Sequence, residues 1–288
     1  MDIGSIKEYL GQDWTMVSGR IASALKSDIA LLNSTNDSIL SNSGKQLRPM
    51  LALLFARACA GGKVTDATIR YASSAELLHN ATLLHDDVAD DSDQRRGVPT
   101  IRSLMGPSVA VLVGDYWLVK AMELILDGDE ADTAVIKIFS KTLSDLAEGE
   151  MLQLQKAQNG DTDKEAYLRI IYNKTASLFE AACVSAAVSV DAVQEYVVAA
   201  REYATALGLA FQIQDDILDV TGEEEVLGKP VKSDEKNNKT TYVTVKGLEQ
   251  AQADVAKYSK EAIRLLDEIP HENEFLHELI LNLFHRNA

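Results

Sequence analysis

Apolar residues recur at three- and four-residue spacing along most of the chain, and this periodicity limits the possible folds more than any other feature. The run Leu77, Leu78, Ala81, Leu84 and Val88 follows it, whereas no sustained stretch shows the strict alternation of a half-buried strand. Since an α-helix turns once in 3.6 residues, this spacing gathers apolar side chains on one face. The pattern predicts an all-α protein.

The helical pattern is interrupted at prolines, glycines and polar clusters, which begin or end helices. The predicted helices span residues 4–32, 49–60, 66–92, 107–127, 131–157, 163–191, 193–221, 248–268 and 273–286. Several exceed the roughly 11 to 12 residues of an average helix, which suits a bundle of long helices around one central cavity. Because we find no short repeat or low-complexity tract, we expect a single domain over residues 1–288.

The chain contains two cysteines, Cys59 and Cys183, each within an alanine-rich apolar run. Two such residues do not make a disulfide framework, and they indicate structural thiols in a reducing compartment. Residues 1–10 lack the basic start and apolar core of a secretory signal, and no stretch reaches the roughly 18 apolar residues that a membrane span needs. We therefore expect a soluble, cytoplasmic protein with no membrane span.

Acidic residues outnumber basic ones by 44 to 28, which gives a formal net charge of -16. Such a charge repels the phosphates of nucleic acids and argues against a nucleic-acid partner. A small anionic substrate remains compatible with this charge, provided that local cations or bridging metal ions offset it.

The first acidic cluster closes a long apolar helix and contains Asp86, Asp87 and Asp90. On a helix these carboxylates fall within an arc of about 100°, where their repulsion is costly unless cations lie among them. A solvated acidic helix end is the alternative for this cluster taken alone. An EF-hand calcium loop is excluded, because its glycine and its closing glutamate are missing here.

The second acidic cluster, Asp215, Asp216 and Asp219, repeats this spacing after another apolar run. Two copies far apart in a helical bundle can form two facing rows of carboxylates. Such rows could hold several Mg²⁺ ions that bridge phosphate oxygens, since Mg²⁺ keeps most of its waters and needs only one or two carboxylates. Chance duplication of the spacing is the alternative.

Basic residues are few, yet several lie near the acidic clusters or at breaks between helices. They are Lys45, Arg48, Arg95, Arg96, Lys174, Lys229 and Lys239. Arginine binds phosphate through two parallel hydrogen bonds, and lysine meets it as a point charge. Each residue by itself is more typical of an ordinary surface charge, and only the whole set favours phosphate binding.

Several short motifs are specific when they are taken together. They are Gly-Lys-Gln-Leu-Arg-Pro at 44–49, Leu-His-Asp-Asp-Val-Ala-Asp at 84–90, Arg-Arg-Gly at 95–97, Gly-Asp-Tyr at 114–116, Lys-Thr-Ala at 174–176, Phe-Gln-Ile-Gln-Asp-Asp-Ile-Leu-Asp at 211–219, Gly-Lys at 228–229 and Lys-Thr-Thr-Tyr at 239–242. With these motifs the chain, from Gly44 to about Gly247, resembles the trans-type (head-to-tail) prenyl diphosphate synthase family. The resemblance implies a helical fold of the isoprenoid synthase type.

The resemblance also implies a role for each matched residue. Mg²⁺ would be held around an allylic diphosphate by Asp86, Asp87, Asp90, Asp215, Asp216 and Asp219. The same diphosphate would contact Arg95, Lys174, Gln212, Lys229 and Lys239. The second substrate, isopentenyl diphosphate, would contact Lys45, Arg48, His79 and Arg96. We expect His85 to be structural.

In the implied reaction, diphosphate leaves the allylic substrate, and the double bond of isopentenyl diphosphate attacks the carbocation before a proton is lost. Lys174, Thr175 and Gln212 would be the catalytic residues, the first at the diphosphate and the other two beside the cation. No enzyme nucleophile takes part, so catalysis would rest on positioning and on electrostatic stabilisation. The resemblance further implies a homodimer packed through long central helices, with residues 109–126 in the contact.

Two positions depart from the commonest family pattern. Lys232 stands where many relatives have glycine, and Val243 where many have proline. Both bear on the closed conformation of the polar stretch 222–241. The alternative functions are a class I terpene cyclase and a non-catalytic regulatory subunit, although Lys45, Arg48 and both acidic clusters are complete here.

Product length depends in this family on the depth of an apolar tunnel below the first aspartates. Ala81 and Thr82, five and four residues before Asp86, are small and would not block a chain of farnesyl size. They favour a product of geranylgeranyl size or longer. The compact length of the chain resembles shorter-product members instead and leaves farnesyl diphosphate open.

Overall fold

Helices make up nearly all of the described chain, so the all-α prediction is confirmed. The computed structural model describes residues 3–128, 132–221, 241–269, 271 and 274–284. Its helices are α1 (Ile3–Ala24), α2 (Ala30–Ser41), α3 (Leu47–Ala60), α4 (Asp66–Ala89), α5 (Ile101–Met105), α6 (Pro107–Leu126), α7 (Thr133–Asn159), α8 (Lys164–Ile171), α9 (Ser177–Ser189), α10 (Gln194–Thr221), α11 (Tyr242–Lys246), α12 (Leu248–Leu266) and α13 (Glu274–Phe284). A π-helical segment, Tyr172–Ala176, joins α8 to α9.

Two long helices, α4 and α10, carry the acidic clusters and are packed on several sides. Helix α4 packs against α6, α3, α9 and α1, while α10 packs against α12, α9 and the π-helical segment. The largest fully buried side chains between these helices include Trp117, Tyr203 and Phe55. Burial of this apolar surface is the main favourable contribution to folding, and it holds the two acidic helices in place.

Side-chain hydrogen bonds cap the N-termini of two long helices, α4 and α7. Thr65 and Thr68 form a capping box at α4, in which the Thr68 amide donates to Thr65 Oγ1 at 3.1 Å. Asp132 accepts from the Ala134 amide at the start of α7 at 2.8 Å. Such caps satisfy amides that have no partner inside the helix.

The first predicted helix, 4–32, is wrong in its extent. Helix α1 ends at Ala24, and a second helix, α2, begins at Ala30 and continues to Ser41, beyond the predicted end at residue 32. In the break, the Ser27 amide donates to Asn33 Oδ1 at 3.0 Å, and Asn33 Nδ2 donates to the Ser27 carbonyl at 2.7 Å. Local side-chain to backbone bonds of this kind compete with helical hydrogen bonds and are invisible to apolar periodicity.

The predicted helix 66–92 ends earlier, at Ala89, because the chain reverses direction there. Asp91 has a left-handed backbone with φ 53°, and strands β1 (Gln94–Arg95) and β2 (Val98–Pro99) form a short antiparallel hairpin. In its register Gln94 pairs with Pro99 and Arg95 pairs with Val98. This hairpin brings Arg95 back towards the end of α4.

Among the described residues, no helix is long and apolar enough to cross a bilayer. Cys59 and Cys183 carry free thiols, and burial raises the pKa of both, that of Cys59 to about 12. A cavity of about 400 Å³ lies between α10, α12 and α13. It is lined by Ile217, Val255, Ile280 and other residues, but by none of the predicted site residues, because it opens on the face of α10 opposite Asp216 and Asp219.

Candidate active site

The first acidic cluster lies at the C-terminal end of α4, where the hairpin returns to it. Asp87 is buried, and its carboxylate accepts a hydrogen bond from Arg95 Nε at 2.8 Å. Burial raises the pKa of Asp87, and Arg95 counteracts that shift. Arg95 and Asp87 therefore form an ion pair.

Asp86, the neighbouring carboxylate, faces a second helix. Burial raises its pKa to about 6, Lys174 opposes that shift, and Glu150 of α7 adds to it. The ammonium of Lys174 pairs with Glu150 and donates to Gln153 Oε1 at 3.1 Å. Lys174 thus lies next to the first cluster, and the side chains of two α7 residues fix its position.

Sequence reasoning missed Glu150 and Gln153, although both lie one turn apart on the long helix α7. Their signal is weak, because an acidic residue and an amide at three-residue spacing on a surface helix are usually solvated. Only the packing of α7 against the π-helical segment shows that they bind Lys174.

The second acidic cluster lies on α10, and its middle carboxylate accepts several hydrogen bonds. Asp216 is buried and accepts from the Tyr242 amide at 2.6 Å, from the Tyr167 hydroxyl, and from Gln212 Nε2 at 3.3 Å. Asp219 is buried as well, whereas Asp215 is partly exposed. The partners Tyr167 and Tyr242 were not predicted, since they come from α8 and α11.

Two consecutive residues of the π-helical segment connect the clusters. Lys174 is hydrogen-bonded to Gln153, and its positive charge is close enough to Asp86 to oppose the rise that burial causes in the pKa of that carboxyl group. The next residue, Thr175, donates through Oγ1 to Gln212 Oε1 at 3.0 Å, and Gln212 in turn donates to Asp216. The three predicted catalytic residues therefore lie between the two acidic clusters. This arrangement depends on how α7, α10 and the segment pack.

A separate basic pocket forms where α3, α4 and the hairpin meet. Arg48 is buried, and its guanidinium lies 4.6 Å from the centre of the Phe179 ring. Burial lowers the pKa of Arg48 to about 10, so it still carries its charge at neutral pH. Phe179 was not predicted; the stacking is a cation–π contact, which stabilises a guanidinium away from water.

The pocket also contains a neutral histidine and a buried carboxyl group. Burial, with Arg48 and the hairpin arginines, holds the pKa of His79 well below its usual value, so the imidazole is uncharged at neutral pH. Burial raises the pKa of Glu76, which accepts a hydrogen bond from Asn80 Nδ2 at 3.0 Å. Glu76 was missed by sequence reasoning, because it lies within an apolar helical run.

The 42–46 loop brings Arg96 and Lys45 to the edge of this pocket. Arg96 donates through Nη1 to the Asn42 carbonyl at 3.2 Å, and its guanidinium lies directly on the backbone of Gly44. Lys45 is partly exposed on the same loop. The structure therefore brings Arg48, His79 and Arg96 together, with Lys45 on the loop that Arg96 contacts, whereas Lys229, Lys232 and Lys239 lie outside the described residues.

The donors of the two clusters suit Mg²⁺ better than a metal that needs a closed cage. Among the described residues, no group of three or more acidic, histidine or cysteine side chains is arranged to hold a metal ion by itself. Burial raises the pKa of Asp86, Lys174 opposes this shift, and Glu150 and Asp90 add to it, so a bound cation would stabilise the charged carboxylate. Mg²⁺ is commonly bound by one or two carboxylates plus substrate phosphates and water.

Comparison with known proteins gives concordant matches. A family model described as polyprenyl synthetase matches residues 29–279. The octaprenyl diphosphate synthase of Escherichia coli (strain K12) is 36% identical over 263 residues, covering 91% of this chain and 80% of that protein. A decaprenyl diphosphate synthase from Rhodobacter capsulatus is similar in structure, with a TM-score of 0.92, 30% identity and full coverage of both chains.

Another solved structure similar to this chain is a polyprenyl synthase from Caulobacter crescentus CB15 in complex with calcium and isoprenyl diphosphate. Its TM-score is 0.91 at 29% identity, and the match covers 100% of this chain and 98% of that one. That relative therefore has both a divalent cation and a diphosphate ligand.

Proposed function

The chain belongs to the polyprenyl synthetase family, and from this premise we infer that it is a prenyltransferase that joins isopentenyl diphosphate head to tail to an allylic prenyl diphosphate. The family resemblance drawn from the sequence motifs is thereby confirmed. One observation supports this assignment of the site: two consecutive residues lie near different acidic clusters. Lys174 is close to Asp86 of the first cluster, and Thr175 is hydrogen-bonded to Gln212 beside the second.

The allylic diphosphate would bind between the two acidic clusters. We assign Mg²⁺ binding to Asp86, Asp87, Asp90, Asp215, Asp216 and Asp219, and the diphosphate itself to Arg95, Lys174, Gln212, Lys229 and Lys239. Bound Mg²⁺ would supply positive charge to the leaving diphosphate. In the first cluster Asp86 is the main candidate for a direct ligand, because Asp87 already pairs with Arg95.

Isopentenyl diphosphate would bind in the basic pocket of Lys45, Arg48, His79 and Arg96. The fixed charge of Arg48 is oriented by Phe179, and the neutral imidazole of His79 can offer one N–H donor without adding charge. Burial lowers the pKa of Arg48 and of Arg96, and the nearby carboxyl group of Glu76 opposes that shift in both. Its carboxylate would keep the pocket from accumulating positive charge.

Ionisation of the allylic substrate would leave a carbocation, and we assign its stabilisation to the side-chain oxygens of Thr175 and Gln212. Thr175 donates a hydrogen bond to Gln212, so the lone pairs of its hydroxyl oxygen remain available to the cation. The double bond of isopentenyl diphosphate attacks this cation, and the new cation loses a proton to restore a double bond. Exclusion of water by the packed helices would prevent quenching of the cation.

We assign a product of geranylgeranyl size or longer, with farnesyl diphosphate as the shorter alternative. Two similar proteins are described as octaprenyl and decaprenyl diphosphate synthases, which supports a long product. Thr82 is small, partly exposed and on the same face of α4 as Asp86 and His79, so this face leaves room for a growing chain. The family match over residues 29–279 also supports one catalytic domain.

The assignment is tested by incubating purified protein with Mg²⁺, isopentenyl diphosphate and one primer at a time. The primers are dimethylallyl, geranyl and farnesyl diphosphate, and mass spectrometry identifies the products. We expect longer prenyl diphosphates and inorganic pyrophosphate, both lost on addition of EDTA. Hydrocarbon formed without consumption of isopentenyl diphosphate would indicate a terpene cyclase, and no turnover with any primer would indicate a non-catalytic subunit.

A further inference from the structure

Two glycines on different helices touch the π-helical segment without any side chain between them. A Cβ on Gly149 of α7 would lie 2.7 Å from Asn173 Cβ, 2.9 Å from Lys174 Cγ and 3.2 Å from the Lys174 backbone nitrogen. A Cβ on Gly208 of α10 would lie 2.5 Å from Ala176 Cα and 2.6 Å from Ala176 Cβ. Apart from Lys174 Cγ, these neighbours are backbone or Cβ atoms, so a larger residue would have to displace the segment.

The segment itself is an irregularity that needs support. A π-helical turn contains one residue more than an α-helical turn, is rare, and is found mostly at functional sites. Here it connects two regular helices, α8 and α9, and it packs against both α7 and α10. Close approach from two sides is what these glycines permit.

The same helices that touch the backbone of the segment also hold its side chains. Glu150, next to Gly149, pairs with Lys174, and Gln153 accepts from the Lys174 ammonium at 3.1 Å. On the other side, Gln212, one turn after Gly208, accepts from Thr175 at 3.0 Å. A displaced helix would therefore shift both the backbone of the segment and the partners of its side chains.

We propose that Gly149 and Gly208 are positioning residues for prenyl transfer: Gly149 acts through Lys174, and Gly208 acts through Thr175. This inference rests on the proposed function. It differs from ordinary close packing, because it requires the effect of each glycine on turnover to depend on one particular side chain. Misplacement of a catalytic group by about 1 Å can cost on the order of 100-fold in rate.

The test is a double-mutant cycle that measures kcat and both KM values for wild type, Gly149→Ala, Lys174→Ala and the double variant. We expect Gly149→Ala to lower kcat roughly 10- to 100-fold, with little change in KM for isopentenyl diphosphate, whose proposed pocket is elsewhere. In the Lys174→Ala background the same change should have little further effect on kcat, because the group it positions is gone. If the fold-changes in kcat of the two single variants multiply to give that of the double variant, the inference is wrong.

A matched control is Gly19→Ala, a helix-interior glycine of α1 with no atom within 4 Å of an added Cβ. This variant should keep wild-type kcat and should not melt at a lower temperature. If Gly149→Ala does not fold, the cycle of Gly208→Ala with Thr175→Ala decides the question in the same way. A wild-type protein without turnover contradicts the proposed function, whereas wild-type turnover with independent effects contradicts only the positioning inference.

Discussion

Aspartates with the same spacing in the sequence have different surroundings in the site. Asp87 pairs with Arg95, and Asp216 accepts hydrogen bonds from two tyrosines and a glutamine. Asp86, in contrast, is partly buried near Glu150, and desolvation raises its pKa to about 6. Because a carboxylate that already accepts several hydrogen bonds has fewer lone pairs for a cation, members of one cluster need not contribute equally to metal binding.

Removal of one carboxylate from either cluster should strongly lower turnover. We expect Asp86→Ala and Asp215→Ala each to reduce kcat about 10²- to 10³-fold, since each removes charge proposed to hold Mg²⁺ against the leaving group. Steady-state condensation at saturating Mg²⁺ measures this. Asp37→Ala, an exposed aspartate on α2, is the control and should retain wild-type turnover. Near-wild-type rates in either cluster variant would contradict the proposed metal site.

At the scale of elements, α2 shows how a buried polar side chain can fix a helix that the sequence pattern did not predict. Asn36 Oδ1 accepts from Trp117 Nε1 of α6 at 2.8 Å, and Asn36 Nδ2 donates to the Leu25 carbonyl at 3.0 Å. Asn36 and Trp117 are buried. One side chain thus joins the end of α1, helix α2 and helix α6.

Asn36→Ala should therefore destabilise the protein. It leaves the buried Trp117 N–H without its partner, which costs about 1 to 3 kcal/mol, whereas the Leu25 carbonyl still accepts from the Tyr116 hydroxyl at 3.4 Å. Urea unfolding measures the change in free energy of unfolding. Ser34→Ala, which removes an exposed hydroxyl bonded within α2, should change it by less than about 0.5 kcal/mol. Equal effects of the two substitutions would show that Asn36 does not join these elements.

The size of the side chains on the face of α4 that contains Asp86 should influence product length. Thr82 lies about one turn before Asp86 on that face and is partly exposed, whereas Ala81 is fully buried against other helices. Thr82→Phe should shorten the products made from farnesyl diphosphate, because a ring would occupy the path of the chain. Ala81→Phe should instead lower stability by about 1 to 3 kcal/mol through overpacking.

Mass spectrometry of the products and thermal melting of both variants separate these effects. An unchanged product distribution in folded, active Thr82→Phe would mean that the chain grows along a different face.

At the scale of the whole molecule, an apolar stripe runs along the outside of α6. Leu112, Val119 and Leu126 recur every seven residues and are exposed, Leu112 by 67%. Such a stripe on a monomer marks an interaction surface. It lies within residues 109–126, the segment predicted to form the dimer contact, and we propose that a second copy of the chain covers it.

Leu112→Glu should therefore weaken self-association. Wild-type protein should scatter light as a particle of about twice the 31.4 kDa chain mass, whereas the variant should approach the mass of one chain because an unpaired charge would be buried in the contact. The control Val198→Glu places the same charge on α10 at a residue that is 41% exposed. A monomeric wild type at micromolar concentration, or an unaffected Leu112→Glu dimer, would contradict the proposed contact.

The sequence by itself was sufficient to establish the helical class and the family and to predict the residues of the proposed site, because apolar periodicity, repeated aspartate spacing and the motifs are all local in the chain. It did not reveal the break between α1 and α2, the π-helical segment at Tyr172–Ala176, or partners such as Glu150 and Tyr167. Those features depend on which helices meet, since the hydrogen bonds that Asn36 and Asp216 accept and that Lys174 donates join elements distant in sequence. Only tertiary packing decided which carboxylates are already hydrogen-bonded and which side chains lie between the two clusters.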